Sequence, residues 1–266
     1  MLICPNCKCK LNKLNNTYKC LNNHSFDIAK EGYVNLLLNK PTAGDNKIMI
    51  ASRKDFLEKG YFDPLLRKTI DIIDNLKLHN PFIVDIGCAD GFYTNAIANK
   101  YPTTIGIDIS KVAIRYAAKK YKDTKFFIAN AKDLPLDNNS ATIILNIFAP
   151  FFSDEYYRVL KDNGYIIKIT PNRNHLYEIK TALYDDVYLS KQKQISNVTL
   201  NLIASYDLSY QVNLHNKDIL NLFSMTPYLY KTPTNNIKKL NVLDSLLVTL
   251  DFSISLYKKH SNQKLD

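Results

Sequence analysis

Val84-Asp85-Ile86-Gly87-Cys88-Ala89-Asp90-Gly91-Phe92-Tyr93-Thr94 decides the fold. The apolar run 82–86 reads as a buried parallel strand, a glycine-rich turn follows it, and 92–100 suits a helix. Twenty-three residues after Asp85, Gly106-Ile107-Asp108-Ile109-Ser110 closes a second apolar run on an acid. Strand, tight glycine turn, helix and an acid about twenty residues on make the nucleoside-binding half of a doubly wound sheet. The turn lets a ligand approach the backbone, and the acid takes a ribose diol. The spacing is not the dinucleotide G-x-G-x-x-G, so no helix N-terminus facing a pyrophosphate is required.

Asp85-x-Gly87-x-Ala89-x-Gly91 resembles motif I of the Rossmann-like methyltransferases, whose ligand is S-adenosylmethionine. The resemblance implies an α/β class I domain with a seven-stranded, mostly parallel sheet. It also implies cofactor contacts at Asp85, Gly87, Ala89, Asp90, Gly91, Phe92 and Asp108. The succession that follows fits this fold: helix 91–100, strand 104–109, helix 111–121 capped by Ser110, and strands 125–129, 141–147 and 166–170. Ala89 stands where such turns usually carry glycine, and it fails only if φ must be positive there. Asn130 and Asp133, after the third strand, can meet an adenine edge or simply form the turn. Asn146 ends the fourth strand, where open α/β sheets bind ligands. Phe148 or Phe151 can stack on a base or pack as a loop aromatic.

Four of the five cysteines lie in the first 20 residues. Cys4, Cys7, Cys20 and His24 form C-x2-C-x12-C-x3-H, two close pairs able to meet on one tetrahedral ion. Thiolate and imidazole donors select Zn2+. A segment this small cannot build a core alone, so the metal would supply its folding energy. Cys9 is a spare that can take the place of Cys7, and His24 can be an ordinary surface histidine. Lys8, Lys10, Lys13 and Lys19 surround the site, either as an RNA-backbone contact or as a solvated face.

Cys-Pro-x-Cys, Cys-x3-His and then Phe26-Asp27-Ile28-Ala29-Lys30-Glu31-Gly32-Tyr33-Val34-Asn35-Leu36-Leu37 resemble the bacterial large-subunit rRNA guanine-N1-methyltransferases. That family fuses an N-terminal zinc ribbon to a methyltransferase domain, here 1–36 and 37–266, with 181–240 less readable. Gly60-Tyr61-Phe62-Asp63-Pro64-Leu65, Phe148-Ala149-Pro150, Pro171-x3-His175-Leu176-x-Glu178 and Met225-Thr226-Pro227 carry the match onward. The resemblance implies that Phe62, where the family more often has tyrosine, and His175 border the cofactor. His175, Asp133 and Asn146 are candidates for the group that takes the guanine proton, with no pattern deciding among them. It further implies a homodimer, a 23S rRNA hairpin as target, a cytoplasmic enzyme, and in some members a link to macrolide-type resistance.

Local patterns fill the remainder. Residues 39–45 read as a mobile loop. Helix 48–59 ends at Gly60 with a solvated face containing Arg53, Lys54 and Lys59. Helix 63–76 carries the stripe Leu66, Ile70, Ile73 and Leu76. Strand 198–204, helix 216–223, two closing strands within 242–258 and a frayed end at 259–266 complete the chain. The net charge of +10 favours a polyanionic partner. No run of about 18 apolar residues spans a membrane, and the start lacks a signal-peptide pattern. Two other readings remain: a methyltransferase for a small molecule or protein, and a degenerate RNA-binding domain motivated by Ala89.

Overall fold

The computed structural model describes residues 2–39, 44–187 and 200–260. In chain order, β1 (Asn12–Leu14), β2 (Thr17–Lys19) and β3 (Ser25–Asp27) form a small antiparallel sheet. β4 (Val34–Asn35), α1 (Lys47–Leu57) and α2 (Asp63–Asn75) follow. Then β5 (Ile83–Ile86), α3 (Phe92–Ala98), β6 (Ile105–Asp108), α4 (Lys111–Lys120) and β7 (Lys125–Ile128) alternate as βαβαβ. β8 (Ala141–Ile147), α5 (Ser153–Val159), β9 (Leu160–Pro171) and α6 (Tyr177–Leu183) continue the alternation. β10 (Leu200–His215), α7 (Asn216–Ser224), the 3-10 turn Pro227–Tyr230, α8 (Thr234–Asn241) and β11 (Ser245–Lys259) close the chain.

The large sheet runs β10-β11-β9-β8-β5-β6-β7-β4. β9 through β4 pair in parallel, while β11 runs antiparallel to β9 and to β10. The seven strands expected from the methyltransferase pattern are present, and an eighth has been added. β4 lies in the N-terminal segment 1–36 yet pairs with β7, with Val34 opposite Phe127. The small module is therefore stitched to the sheet edge. Ile3 N donates to Pro135 O at 3.0 Å, Lys8 pairs with Asp133 at 2.7 Å, and Tyr18 meets Phe127 edge to face. Cys4, Leu11 and Cys20 share a buried cluster with Phe127, Leu134 and Leu136. The Lys30–Tyr33 stretch serves this joint: Gly32 turns at φ +105° and Glu31 pairs with Arg115 of α4 at 2.8 Å.

The central strands are buried along their length, as parallel strands covered on both faces must be. Several local expectations are corrected. On α2 the buried stripe is Leu65, Thr69, Ile72 and Ile73, with Leu66, Ile70 and Leu76 at its flank. On α1, Arg53 is paired with Asp45 and its side chain is only 17% exposed, not solvated as expected, whereas Lys59 and Glu58 stay exposed while pairing with Asp218 of α7 and Lys120 of α4. Gly60 does turn left-handed, at φ +78°, two residues past the cap Glu58. Of the loop 39–45, residues 40–43 lie outside the described residues.

The C-terminal half differs most. The strand expected at 198–204 is described from Leu200 and runs on to His215; 198 and 199 lie outside the described residues. The two short strands expected within 242–258 are one strand of 15 residues, because its alternation of apolar and polar residues meets no turn signal. β10 and β11 form a long antiparallel ribbon, from Leu200 opposite Lys259 to His215 opposite Ser245. Lys259 is not frayed. It is 3% exposed, and its ammonium donates to Asn139 Oδ1 (2.7 Å), Tyr157 O (3.0 Å) and Leu160 O (2.7 Å). Residues 261–266 lie outside the described residues.

Removing this ammonium leaves buried carbonyls without a donor. Lys259→Met should lower stability by about 3 kcal/mol in chemical denaturation. A change below about 0.5 kcal/mol, the range of ordinary surface substitutions, would contradict this placement.

Candidate functional site

The carboxyl ends of β5, β6 and β8 converge on the turn 87–91. Gly87 and Cys88 donate to Ile107 O at 2.8 and 3.1 Å, locking the turn onto β6. Gly87 sits at φ +80°, and a Cβ there would fall 2.5 Å from Ala149 Cβ. Gly91 sits at φ +78° against the Phe126 ring. Both positions exclude a side chain. Ala89 lies between them at φ +46°, so the condition under which alanine is penalised is met. Its left-handed backbone costs about 1 kcal/mol and leaves the turn formed.

Asp108 accepts from Ala89 N at 3.0 Å and from Ser110 N at 2.7 Å, one amide per oxygen. Each oxygen keeps a lone pair for a ligand hydroxyl. Ser110 caps α4 as expected, accepting from Ala113 N at 3.2 Å. Asp85 is buried and takes the Thr94 hydroxyl at 2.6 Å. Burial, reinforced by the charges of Asp108 and Asp90, pushes its carboxyl up to about 7. Burial raises Asp90 and Asp108 as well. Three carboxylates around one turn suit a cationic ligand, and a sulfonium with an α-ammonium supplies two positive charges. Asn130 follows β7 beside Asp108, with Ala129 N donating to Asp108 O at 3.1 Å. Phe92 opens α3 next to the turn.

Phe62, Phe148, His175 and Phe252 form one aromatic cluster from four distant stretches. Phe252 lies 5.4 Å from Phe62, 5.6 Å from Phe148 and 4.9 Å from His175. Phe148 stacks over His175 at 6.4 Å and 22°. Phe148 and Leu176 hold left-handed backbones at φ +54° and +57°, rare for bulky residues. Such strain collects where a site dictates geometry. Phe151 turns away, edge-on to Tyr156 and beneath the Lys168 ammonium.

The three proton-acceptor candidates separate. Asp133 is exposed and its carboxylate is held by Lys8 at 2.7 and 2.9 Å. Asn146 is 0% exposed; its Nδ2 donates to Pro150 O and Tyr156 OH at 3.1 Å, leaving Oδ1 buried without a partner. An amide oxygen accepts a hydrogen bond but does not hold a proton. His175 Nδ1 accepts from Asp251 N at 3.2 Å, which assigns the neutral ring's proton to Nε2. Burial, with the Lys180 charge, depresses its pKa to about 3. His175 is therefore a fixed N–H donor with no free lone pair.

Two residues escaped the sequence reading. Phe252 was hidden in an alternating stretch split into two strands. Arg53 passed as solvated, although Met49, Arg53 and Phe56 share the buried face at i, i+4, i+7 spacing. Its Nε, the Tyr93 hydroxyl and Asn146 Oδ1 are buried polar atoms without partners, on elements facing the turn. Orphaned groups of this kind fit a polar ligand such as S-adenosylmethionine.

In the small module, Cys4, Cys7, Cys20 and His24 bring their donor atoms within 4.8 Å of one another. The Cys7–Cys20 sulfurs lie 3.6 Å apart, and His24 Nδ1 lies 3.5 and 3.4 Å from the Cys4 and Cys20 sulfurs. A zinc tetrahedron with metal–sulfur bonds near 2.3 Å has edges of about 3.7 Å. Lys8 and Asn23 close the two knuckles at φ +58° and +62°. The Cys9 backbone N–H, foremost among its partners, holds the Cys7 thiol down to about 6, favouring the thiolate a metal needs. Cys9 itself is outside the group; its sulfur accepts from Asn22 at 3.7 Å.

Comparison with known proteins agrees with this geometry. The zinc-ribbon family described as RlmA, N-terminal, matches residues 2–40, and a methyltransferase domain family matches 84–168. The chain is 34% identical over 189 residues to the 23S rRNA (guanine(748)-N(1))-methyltransferase of Streptomyces fradiae, covering 68% of this chain and 67% of the relative. It is 30% identical over 249 residues to YxjB of Bacillus subtilis (strain 168), covering 89% and 88%; YxjB carries a provisional assignment as a 23S rRNA (guanine-N(1)-)-methyltransferase. A Micromonospora griseorubida protein with the same provisional assignment is 29% identical over 257 residues, covering 87% of each chain.

Two outcomes follow from the charges and donors. Purified protein should carry one zinc per chain by elemental mass spectrometry, and Cys20→Ser should lose it; full retention would contradict the cluster. Asp85 has a raised folded-state pKa, so its contribution to stability is present below the unfolded value and is lost as pH rises through about 7. The stability of ligand-free Asp85→Asn relative to wild type should therefore grow between pH 4 and 8; a constant difference would contradict the buried carboxyl.

Proposed function

We propose, because the chain belongs to the 23S rRNA (guanine-N1)-methyltransferase family, that its turn 87–91 and the adjoining aromatic cluster methylate an unpaired guanine of a 23S rRNA hairpin loop. The enzyme is an S-adenosylmethionine-dependent methyltransferase, and its zinc ribbon fits Zn2+. The observation that carries the reading is the convergence of the acidic turn with Phe148, His175 and Asn146 at neighbouring strand ends.

When bound, the cofactor supplies an electrophilic methyl group. Asp108 holds its ribose, and Asp85 and Asp90 face its positive charges. Phe62 lends an aromatic wall; lacking the hydroxyl of the family's usual tyrosine, it offers no hydrogen bond. N1 lies on the Watson–Crick edge, so the guanine must be unpaired or flipped. Phe148 stacks the base, and Asn146 Oδ1 accepts from its amino group. His175 holds a proton at Nε2 and donates it as a hydrogen bond, toward the cofactor or toward the base oxygen where charge gathers as N1 loses its proton. None of Asp133, Asn146 and His175 acts as the base in this arrangement, so the N1 proton passes to solvent water.

Lys8, Lys10, Lys13 and Lys19 put positive charge on the zinc module, which is fixed rigidly to the sheet edge and can grip the hairpin backbone. We read the enzyme as a cytoplasmic homodimer whose two modules flank one RNA groove. Among the described residues no helix is long and apolar enough to cross a membrane.

Incubation with labelled S-adenosylmethionine and 23S rRNA transcripts should place label in RNA and create a reverse-transcriptase stop at one guanine. Label appearing only in protein or small molecules would overturn the reading. The pH profile of kcat/KM should show no His175 ionisation between pH 5 and 8, since its pKa lies at about 3. His175→Gln should lower kcat about tenfold or more. A limb near pH 6.5 that vanishes in this variant would make His175 a base after all.

A further inference from the structure

Arg53 projects from the buried face of α1 with its side chain only 17% exposed. One terminal nitrogen, Nη2, donates to Asp45 Oδ2 at 3.2 Å, while Nε is buried without a partner. Asp45 is itself anchored, because its carbonyl accepts from Ser110 Oγ at 2.7 Å at the end of β6. Gly44 also lies close over Ser110 and Ile109. The stretch entering α1 thus crosses the end of the strand that carries Asp108.

The charge of Arg53 acts on both Asp90 and Asp108, whereas Asp45 opposes it at Asp108. Lys120 also acts on Asp90, but its ammonium is engaged by Glu58 at 2.7 Å. Arg53 is therefore a cation among carboxylates that retains an open, desolvated N–H. The methyl donor carries a sulfonium, an ammonium and one carboxylate. The acids suit its two cations, and a guanidinium edge suits its single anion.

We propose that Arg53 binds the α-carboxylate of S-adenosylmethionine through Nε, with Asp45 orienting the guanidinium through Nη2. This rests on the methyltransferase reading of the same site. It makes α1 part of the cofactor pocket and gives the clamps at its two ends, Lys59–Asp218 onto α7 and Asn46–Tyr230 onto the 3-10 turn, a role in holding Arg53 in place.

Calorimetry on the full-length, zinc-loaded protein separates the possibilities without turnover. The probes are S-adenosylmethionine and its decarboxylated form, which lacks only the carboxylate. Wild type should prefer S-adenosylmethionine at least tenfold. Arg53→Met, which keeps an unbranched stem for packing, should weaken S-adenosylmethionine about tenfold or more and leave the decarboxylated form within about threefold. Arg53→Lys, which keeps the charge but loses the fork, should show an intermediate preference and serves if the methionine variant does not fold. Equal affinity of wild type for both probes, equal weakening of both by substitution, or an unchanged preference in the variants would overturn the assignment. Binding of neither probe by wild type would instead overturn the function and this inference with it.

Discussion

One carboxylate ties the site together. Asp108 ends β6 and accepts one backbone N–H from the turn after β5 and another from the start of α4. Through it, two strand ends and a helix N-terminus are set at fixed distance. The turn must be tight to present the Ala89 amide to Asp108 and those of Gly87 and Cys88 to Ile107 O, and that tightness puts Gly87, Ala89 and Gly91 all at positive φ. A side chain at Gly87 would meet Ala149, so the loop after β8 also depends on the turn. The strain at Ala89 and Phe148 is thus shared across neighbouring strand ends rather than borne in one loop.

Charge is the second consequence. Packing Asp85, Asp90 and Asp108 around one turn is unfavourable in an apolar interior, and their raised pKa values record that cost. A ligand bearing positive charge relieves it. The aromatic cluster beside the turn is electrically quiet: His175 is neutral and its free nitrogen is a donor. The site therefore separates an acidic half, suited to the methyl donor, from an aromatic half, suited to a base. The zinc module stands outside both, coupled to them through β4 on β7 and the Lys8–Asp133 pair.

The βαβαβ core and its turn were legible because glycines, caps and apolar runs there act locally. β8 was read to its bounds from a stretch that is apolar except at Thr142 and Asn146. The Cys4, Cys7, Cys20 and His24 cluster was legible from its spacing, which left open only whether Cys9 replaces Cys7 and whether His24 takes part. The long ribbon of β10 and β11 was not, since its partners are separated by the helical stretch 216–244 and no short-range turn announces the pairing. For the same reason Phe252 was invisible as a site residue. Arg53 was misread by counting charges along α1 instead of placing them on its faces. The chemistry of His175 and Asn146 depends on which of their atoms the backbone and Tyr156 occupy, and no sequence pattern carries that.

The most direct measurement is nucleoside mass spectrometry of 23S rRNA from cells lacking the gene, complemented with wild type or with Asp108→Ala. The account predicts one additional 1-methylguanosine with wild type and none with Asp108→Ala. Equal 1-methylguanosine in all three strains, or methylation at another guanine atom, would contradict it.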